Sequence, residues 1–342
     1  MRSLIRARLH RDDAGATLAI VSIMMVVLLG MGALVIDVGQ LYVERRELQN
    51  GADAGALAVA QDCAGGDCRD EATTARTYAN DNAQDGKAAI DEVCGSGPGL
   101  TPCATPPANA PATNWVKVKT VTPDDDKVDF VFAPILGHDS GEAGAAAVAA
   151  WGGVGKATTI PVAFSVCEFK AMGGKIDGSV FPTTRGYIYV HKDTNAPDHS
   201  CPVTSSGQNL PGGFSWLDQT GTCEVAVTAG GMVGSDTGTP FPNGCDAVDW
   251  RNTEVLIPLF DQTIGSGNTG EYRIIGFAAF KVLGYKFNSN NDWNLPSSNH
   301  KCPGTTGNSG TCLYGEFTRF VTTAGQIGGG TDFGARVVQM VG

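Results

Sequence analysis

Residues 14–36 read AGATLAIVSIMMVVLLGMGALVI, a run of 23 residues without a charge. A helix needs about 20 apolar residues to cross the hydrocarbon core of a bilayer, so the run predicts a transmembrane helix. Arg2, Arg6, Arg8 and Arg11 precede it, while within a similar distance after it come only Arg45 and Arg46. That bias holds residues 1–13 in the cytoplasm and sends the bulk of the chain across the membrane, to an extracytoplasmic location. The competing reading is a cleaved signal peptide, whose apolar core is about 7–15 residues and is followed closely by an A-x-A site. Ala52-Asp53-Ala54 fits such a site but lies far past the run, behind Arg45, Arg46 and Glu47. Run length therefore favours a retained single-pass anchor.

Past Asp37 the helical pattern continues. Val38, Leu41, Leu48, Ala52, Gly55 and Val59 recur at spacings of three, four or seven, which keeps one face of residues 37–61 apolar, interrupted by Arg45. From residue 51 to 60 the apolar positions shrink to Ala and Gly at 52, 54, 55, 56, 58 and 60, and small residues let another element approach the helix closely. Two occupants fit: a partner helix, or the outer domain of the same chain.

Composition bounds the remainder. With 342 residues, 42% hydrophobic and 17% charged, the chain has the means to bury a core. Its 24 Lys and Arg against 35 Asp and Glu give a net charge of -11, which argues against nucleic acid as a partner because phosphate neutralisation needs a concentrated basic surface. Ten cysteines, an even number in an exported chain, read as a disulfide framework: Cys63, Cys68, Cys94, Cys103, Cys167, Cys201, Cys223, Cys245, Cys302 and Cys312. Cys302 with Cys312 is the first choice of bridge and Cys223 with Cys245 the next. The short Cys63–Cys68 and Cys94–Cys103 loops close locally where their Cα atoms come within about 7 Å. Connectivity of the full set stays open.

Residues 62–157 form a Cys/Gly/Pro-rich region with a short helix near 70–82. Alternation at Val116, Val118 and Thr120, and again at Val128, Phe130 and Phe132, predicts a β-hairpin around Pro123–Asp126. Residues 158–342 are a succession of β-rich runs between turn residues, clearest at 160–166, 187–191, 224–228, 254–261, 271–287 and 316–322. Gly276 and Gly284 mark expected bulges in the longest run. The expected fold class is α+β: an N-terminal transmembrane and amphipathic helix, then a mainly-β, disulfide-braced sandwich or partly open barrel.

Ala14-Gly15-Ala16 leading into the apolar span, followed by DVGQLYVERRELQNGADAGALA at 37–58, resembles the TadG-related branch of the TadE/TadG-like Flp pilus-assembly proteins. The shared features are an acidic residue closing the span, D-x-G-x-x-Y, a double Arg, L-Q and an A-D-A-x-A-L-A tail. Looser similarity extends to Phe130–Gly137 with its F-A-P-x-L-G, Trp151-Gly152, Cys167-Glu168-Phe169, Pro211–Asp218, Val255–Asp261, Ile275–Tyr285 and Phe317–Val321. The resemblance implies a non-enzymatic, membrane-anchored component of Flp/Tad pilus assembly, or a minor pilin-like subunit. Its implied partners are other Tad pilus or pseudopilin-like subunits, including further copies of itself. Related pseudopilins carry Glu at the fifth position after the processed Gly, and the fifth residue after Gly15 here is Ile20. Some TadG proteins hold a D-x-S-x-S metal motif; the nearest string, Asp177-Gly178-Ser179-Val180-Phe181, lacks the second Ser. A surface adhesin or glycan-binding module on the same anchor is the alternative function.

Motifs of catalysis and cofactor binding are missing from the sequence. Gly265 to Gly270 spells G-x-G-x-x-G, but a dinucleotide site needs those glycines to open a helix and the residues after them read as a strand. The five histidines make no HExxH or i, i+4 pair, and no G-x-S-x-G occurs. Asp124–Asp126 lacks the spaced ligand pattern of a calcium loop. No cofactor and no metal are expected.

Overall fold

The computed structural model describes residues 2–108, 110, 112–189, 216–236, 241–265, 269–288, 290–297, 300–303, 310–323 and 325–341. Cys201, His191, residues 211–215 and residues 266–268 lie outside this set, as do the side chains of the four N-terminal arginines.

One unbroken helix, α1 (Arg2–Gly65), takes in both the apolar run and the amphipathic stretch after it. No proline interrupts it, and at 1.5 Å per residue it is about 95 Å long. Its first described part is long and apolar enough to cross a membrane and buries nothing in the protein. A second helix, α2 (Glu71–Asn82), folds back against its end.

The strands follow in chain order: β1 (Ala89–Ser96), β2 (Asn114–Val121), β3 (Val128–Asp129), β4 (Ser140–Gly141), β5 (Gly144–Thr159), β6 (Phe164–Ser165), β7 (Gly186–Tyr189), β8 (Val225–Thr228) and β9 (Met232–Gly234). Then come β10 (Glu254–Ile264), β11 (Glu271–Lys286), β12 (Asp292–Trp293), β13 (Cys312–Thr318), β14 (Phe320–Thr322), β15 (Gln326–Ile327), β16 (Thr331–Asp332) and β17 (Ala335–Met340). A short helix, α3 (Val166–Ala171), follows β6. The class is α+β, 27% helical and 37% strand.

Two sheets stack. The first has the order β1-β2-β5-β17-β14, with β8 and β15 also on β5; the second runs β6-β10-β11-β13-β7, with β9, β12 and β16 on β11. Val154, Val225, Val227 and Val337 of the first pack against Phe260, Tyr272, Ile274 and Phe277 of the second. The other face of the first sheet receives α1, and the other face of the second carries an aromatic core. There Phe169 of α3 meets Phe181, Phe317 and Phe333 edge-on, with centroids 4.9 to 5.9 Å apart. Edge-to-face geometry brings the positive ring edge to the negative ring face.

Strand β5 organises the first sheet, yet its sequence, GAAAVAAWGGVGKATT, does not announce it. Alanine and glycine have low strand propensity. They serve here because Ala147 and Ala149 lie under Ala52, Ala56 and Val59 of α1, and small side chains on both elements let the helix sit close to the sheet. The strand also spans the expected boundary between residues 157 and 158. Both β14 and β17, from the end of the chain, complete the first sheet.

The β-hairpin expected across Pro123–Asp126 does not form. Strand β2 pairs with β1 on one side and β5 on the other, so both its edges are occupied before residue 128 is reached. Residues 128–132 instead leave the sheet, pairing only through the short β3–β4 ladder. The expected strand at 160–166 reduces to β6, because Ser165 caps α3 by accepting the Cys167 amide at 3.2 Å. Register shifts occur in β11 beside Gly276 and Gly284, where a Cβ would lie 2.3 Å from the Thr331 carbonyl oxygen and 2.7 Å from that of Asn294.

Disulfides join Cys63–Cys68, Cys94–Cys103, Cys223–Cys245 and Cys302–Cys312, with Cα separations of 4.1, 4.9, 4.7 and 5.9 Å. Cys167 is also disulfide-bonded. Non-reducing peptide mapping of the purified protein should return these four links, and removal of Cys302–Cys312 by paired alanine substitution should cost about 2–4 kcal/mol in its unfolding equilibrium. A map of scrambled or free thiols contradicts the arrangement.

Candidate helix anchor and its docking loop

The C-terminal half of α1 is consumed by the chain's own domain. Leu48, Ala52, Gly55 and Val59 are all buried, as is Gly51 one turn before Gly55. Gly51 faces Ala79, whose Cα would lie 3.1 Å from an added Cβ, and Gly55 faces the Ala75 carbonyl at 3.2 Å. Glycines four apart on α1 thus meet alanines four apart on α2, and the two backbones touch. The sheet side is stitched by polar contacts. Thr120 Oγ1 donates to the Leu48 carbonyl at 2.8 Å, and Gln49 Nε2 donates to Asp53 Oδ1 at 2.8 Å and to the Ala146 carbonyl at 3.3 Å. Glu47 accepts the Gln84 amide at 3.0 Å, holding the loop after α2.

At its C-terminal end the helix leaves carbonyls without helical partners. Arg336 of β17 donates to one of them, the Ala64 carbonyl at 2.7 Å, while its ion pair with Asp332 at 2.8 Å fixes the guanidinium. The Cys63–Cys68 bridge closes the same end. Of the six apolar positions legible in the sequence, Leu41 is half-buried and Val38 is exposed. Arg45 and Arg46 face outward, with the Arg46 guanidinium 5.9 Å from the Tyr42 ring centroid. Burial pushes the Glu44 carboxyl above its ordinary range; a Thr122 hydrogen bond opposes the rise, and Asp85, Glu47 and Asp126 add to it.

Where the apolar run ends, Asp37 is 5% exposed and filled with donors. Its Oδ1 accepts the Val131 amide at 2.8 Å, and its Oδ2 accepts those of Phe132 at 3.1 Å and Ala133 at 2.7 Å. Those amides open the 3₁₀ turn Ala133–Leu136, which has Pro134 in its first turn and Gly137 closing it at φ 85°. A carboxylate satisfies the free N–H groups at such a turn and complements its dipole. Asp37 thereby holds the tip of an arm, residues 122–143, against α1. Phe130 and Leu41 both reach Gly141 of that arm, where any Cβ would strike them at 2.5 and 3.0 Å.

Residues 15–62 match the TadE/G-like Flp pilus-assembly family, Tad. No curated protein and no solved structure matches the chain. The Tad segment begins at the apolar run, includes Asp37, the glycine face and the double Arg, and stops one residue before Cys63. Several of its positions have a clear structural role. Asp37 seats the arm, Leu48 and Gln49 bind the first sheet, and Gly51 and Gly55 admit α2. An apolar N-terminal helix within a segment that matches the Tad family fits membrane anchoring.

The acidic residue closing the span is visible in the sequence; its acceptor role is not, because its donors lie 94 to 96 residues away. The available signal was the proline of F-A-P-x-L-G at a helix-start position. Glu92 clusters with Cys94 and Cys103 in the manner of metal ligands, but those two sulfurs are bonded to each other.

Two substitutions probe this module. Gly55→Leu drives a side chain into the α2 backbone and should lower stability by about 1–3 kcal/mol, read as a reduced midpoint in denaturant-induced loss of tryptophan fluorescence. Asp37→Ala removes hydrogen bonds to a charged acceptor worth about 1.5–3 kcal/mol apiece, so hydrogen exchange at Val131, Phe132 and Ala133 should accelerate at least about tenfold while β5 amides keep their protection. Unchanged exchange at the three tip amides would contradict the assigned role of Asp37.

Proposed function

We propose that this chain is a non-enzymatic, single-pass component of Flp/Tad-type pilus assembly, or a minor pilin-like subunit, with its N-terminus in the cytoplasm and its disulfide-braced β domain outside the membrane. The observation that carries the reading is the coincidence of the Tad match at 15–62 with a helix whose outer half is docked on its own domain and whose apolar run is left uncovered by the protein. Basic residues at 2, 6, 8 and 11 support the orientation, and the disulfides support an oxidising compartment for the outer domain.

Docking of Leu48, Ala52, Gly55 and Val59 within the chain changes where lateral association takes place. Partner helices, whether other Tad subunits or a second copy, meet α1 through residues 17–38 in the bilayer. A Cβ added at Gly30 or Gly32 there would meet nothing within 4 Å, and each glycine leaves its own side of the helix open to close approach in lipid. The outer domain travels with the helix as a rigid head, because Asp37, Gln49 and Arg336 tie the two together.

The test combines protease protection with a deletion phenotype. In right-side-out vesicles the β domain should be digested only from the outer face, after reduction, while an N-terminal epitope stays protected. Deleting the whole gene should abolish pili, with restoration by the full chain. A β domain recovered soluble or on the cytoplasmic side overturns the topology; pili intact with only surface attachment lost favours the adhesin reading.

A further inference from the structure

The arm tip, FVFAPILG at residues 130–137, lies outside the sheets, and its backbone is tied to α1 at Asp37 while most of its side chains are left without a role in that tie. It carries no charge, and it presents Val131, Phe132 and Ile135 outward at 59, 37 and 86% exposure. Such a cluster is unusual on a surface meant for water. Its position is informative. The arm leaves the first sheet near Thr120, which bonds to Leu48, and reaches α1 at Asp37, about 16 Å nearer the apolar run at 1.5 Å per residue. Beyond Asp37 a groove of about 830 Å³ separates tip and helix, lined by Phe132, Ala133 and Ile135 on one wall and by Leu28, Leu29 and Leu34 on the other. The tip therefore descends beside the stretch of α1 that the anchor reading places in the bilayer.

Entry into lipid requires more than apolar side chains, since every backbone donor must find an acceptor within the protein. Six of the seven amide donors of residues 130–137 have partners of this kind. Asp37 takes the amides of Val131, Phe132 and Ala133. The Phe130 amide donates to the Asp139 carbonyl at 3.0 Å, Ile135 to Phe132 at 3.3 Å, Gly137 to Pro134 at 3.0 Å and His138 to Ala133 at 3.2 Å. Pro134 has no amide hydrogen to satisfy. The charged residues of the arm, Asp124 to Lys127, Asp129, Asp139 and Glu142, all fall outside residues 130–137.

We propose that residues 130–137 insert into the outer leaflet as a second membrane contact, with acyl chains filling the groove between Ile135 and Leu28–Leu34. This inference rests on the anchor reading of α1. Its consequence is orientation. A helix alone leaves the outer domain free to tilt and spin about its axis, whereas a helix plus a laterally offset wedge fixes which face of the domain looks along the membrane. Asp37, buried at the water boundary, couples the two contacts.

Full-length protein carrying Ile135→Trp, and separately Leu28→Trp, is reconstituted into vesicles of phosphatidylcholine and phosphatidylglycerol with and without mid-chain bromine. The native tryptophans, at 115, 151, 216, 250 and 293, set the background, and the disulfide map verifies folding. Ile135 is exposed, so tryptophan fits without disturbing the core. The tip tryptophan should lose about half its added emission to brominated lipid and resist aqueous iodide, as befits a group about 5–10 Å into the interface; Val131→Trp should repeat the result. If Leu28→Trp is quenched by lipid while Ile135→Trp stays open to iodide, or is shielded from both quenchers as under a partner helix, the inference is overturned and the anchor stands. If neither tryptophan meets brominated lipid, the anchor reading itself fails.

Discussion

The close approach of α1 to the first sheet is the constraint on which the molecule depends. It exists because Ala52 and Ala56 on the helix face Ala147 and Ala149 on β5, so that two backbones come together with little between them. Larger side chains on either element would lift the helix, and with it Gly51 and Gly55 would lose α2. The same economy of volume explains why a strand so poor in β-formers sits at the centre of the sheet: what it packs against sets its composition, and its own strand propensity counts for less. Hydrogen bonds from Thr120, Gln49 and Arg336 then fix the register of the helix on that surface.

A membrane helix attached to a folded head transmits orientation only if the junction is stiff. Here the helix does not end with its apolar run; it continues unbroken into the core of the head, as far as Cys63 and its bridge to Cys68. Asp37 adds a tie at the boundary, where a buried carboxylate without partners would be costly and where three amides supply them. The Asp37 side chain is thus a structural element, and the arm it holds lies outside both large sheets, since β3 and β4 pair only with each other.

The fold closes through its chain ends. Strand β17, the last in the sequence, joins β5, and β14 adds to its far side, so that late residues complete the surface on which α1 lies, and Arg336 reaches the carbonyl of Ala64 across 272 residues. The β domain therefore depends on its late strands: removing residues 335–340 takes a strand from the sheet that supports α1. The aromatic core behind the second sheet, with Phe169, Phe317 and Phe333, is the independent reserve of apolar burial.

Several features were determined by the sequence alone, because their physics is local. Twenty-three uncharged residues specify a long apolar helix, periodicity of 3.6 extends it past Asp37, and alternation marks β10 and β11, whose glycines at 276 and 284 announce irregular pairing. The short Cys223–Cys245 and Cys302–Cys312 spacings were legible for the same reason. What the tertiary structure decided is everything that needed a distant partner: β5 as the organising strand, the exchange of an expected hairpin for an arm, the seat of Asp37, and the occupant of the small-residue face. In that last case the periodicity of Leu48, Ala52, Gly55 and Val59 states that something packs there, but a pattern on one helix carries no information about whether its partner is another chain or a sheet formed a hundred residues later.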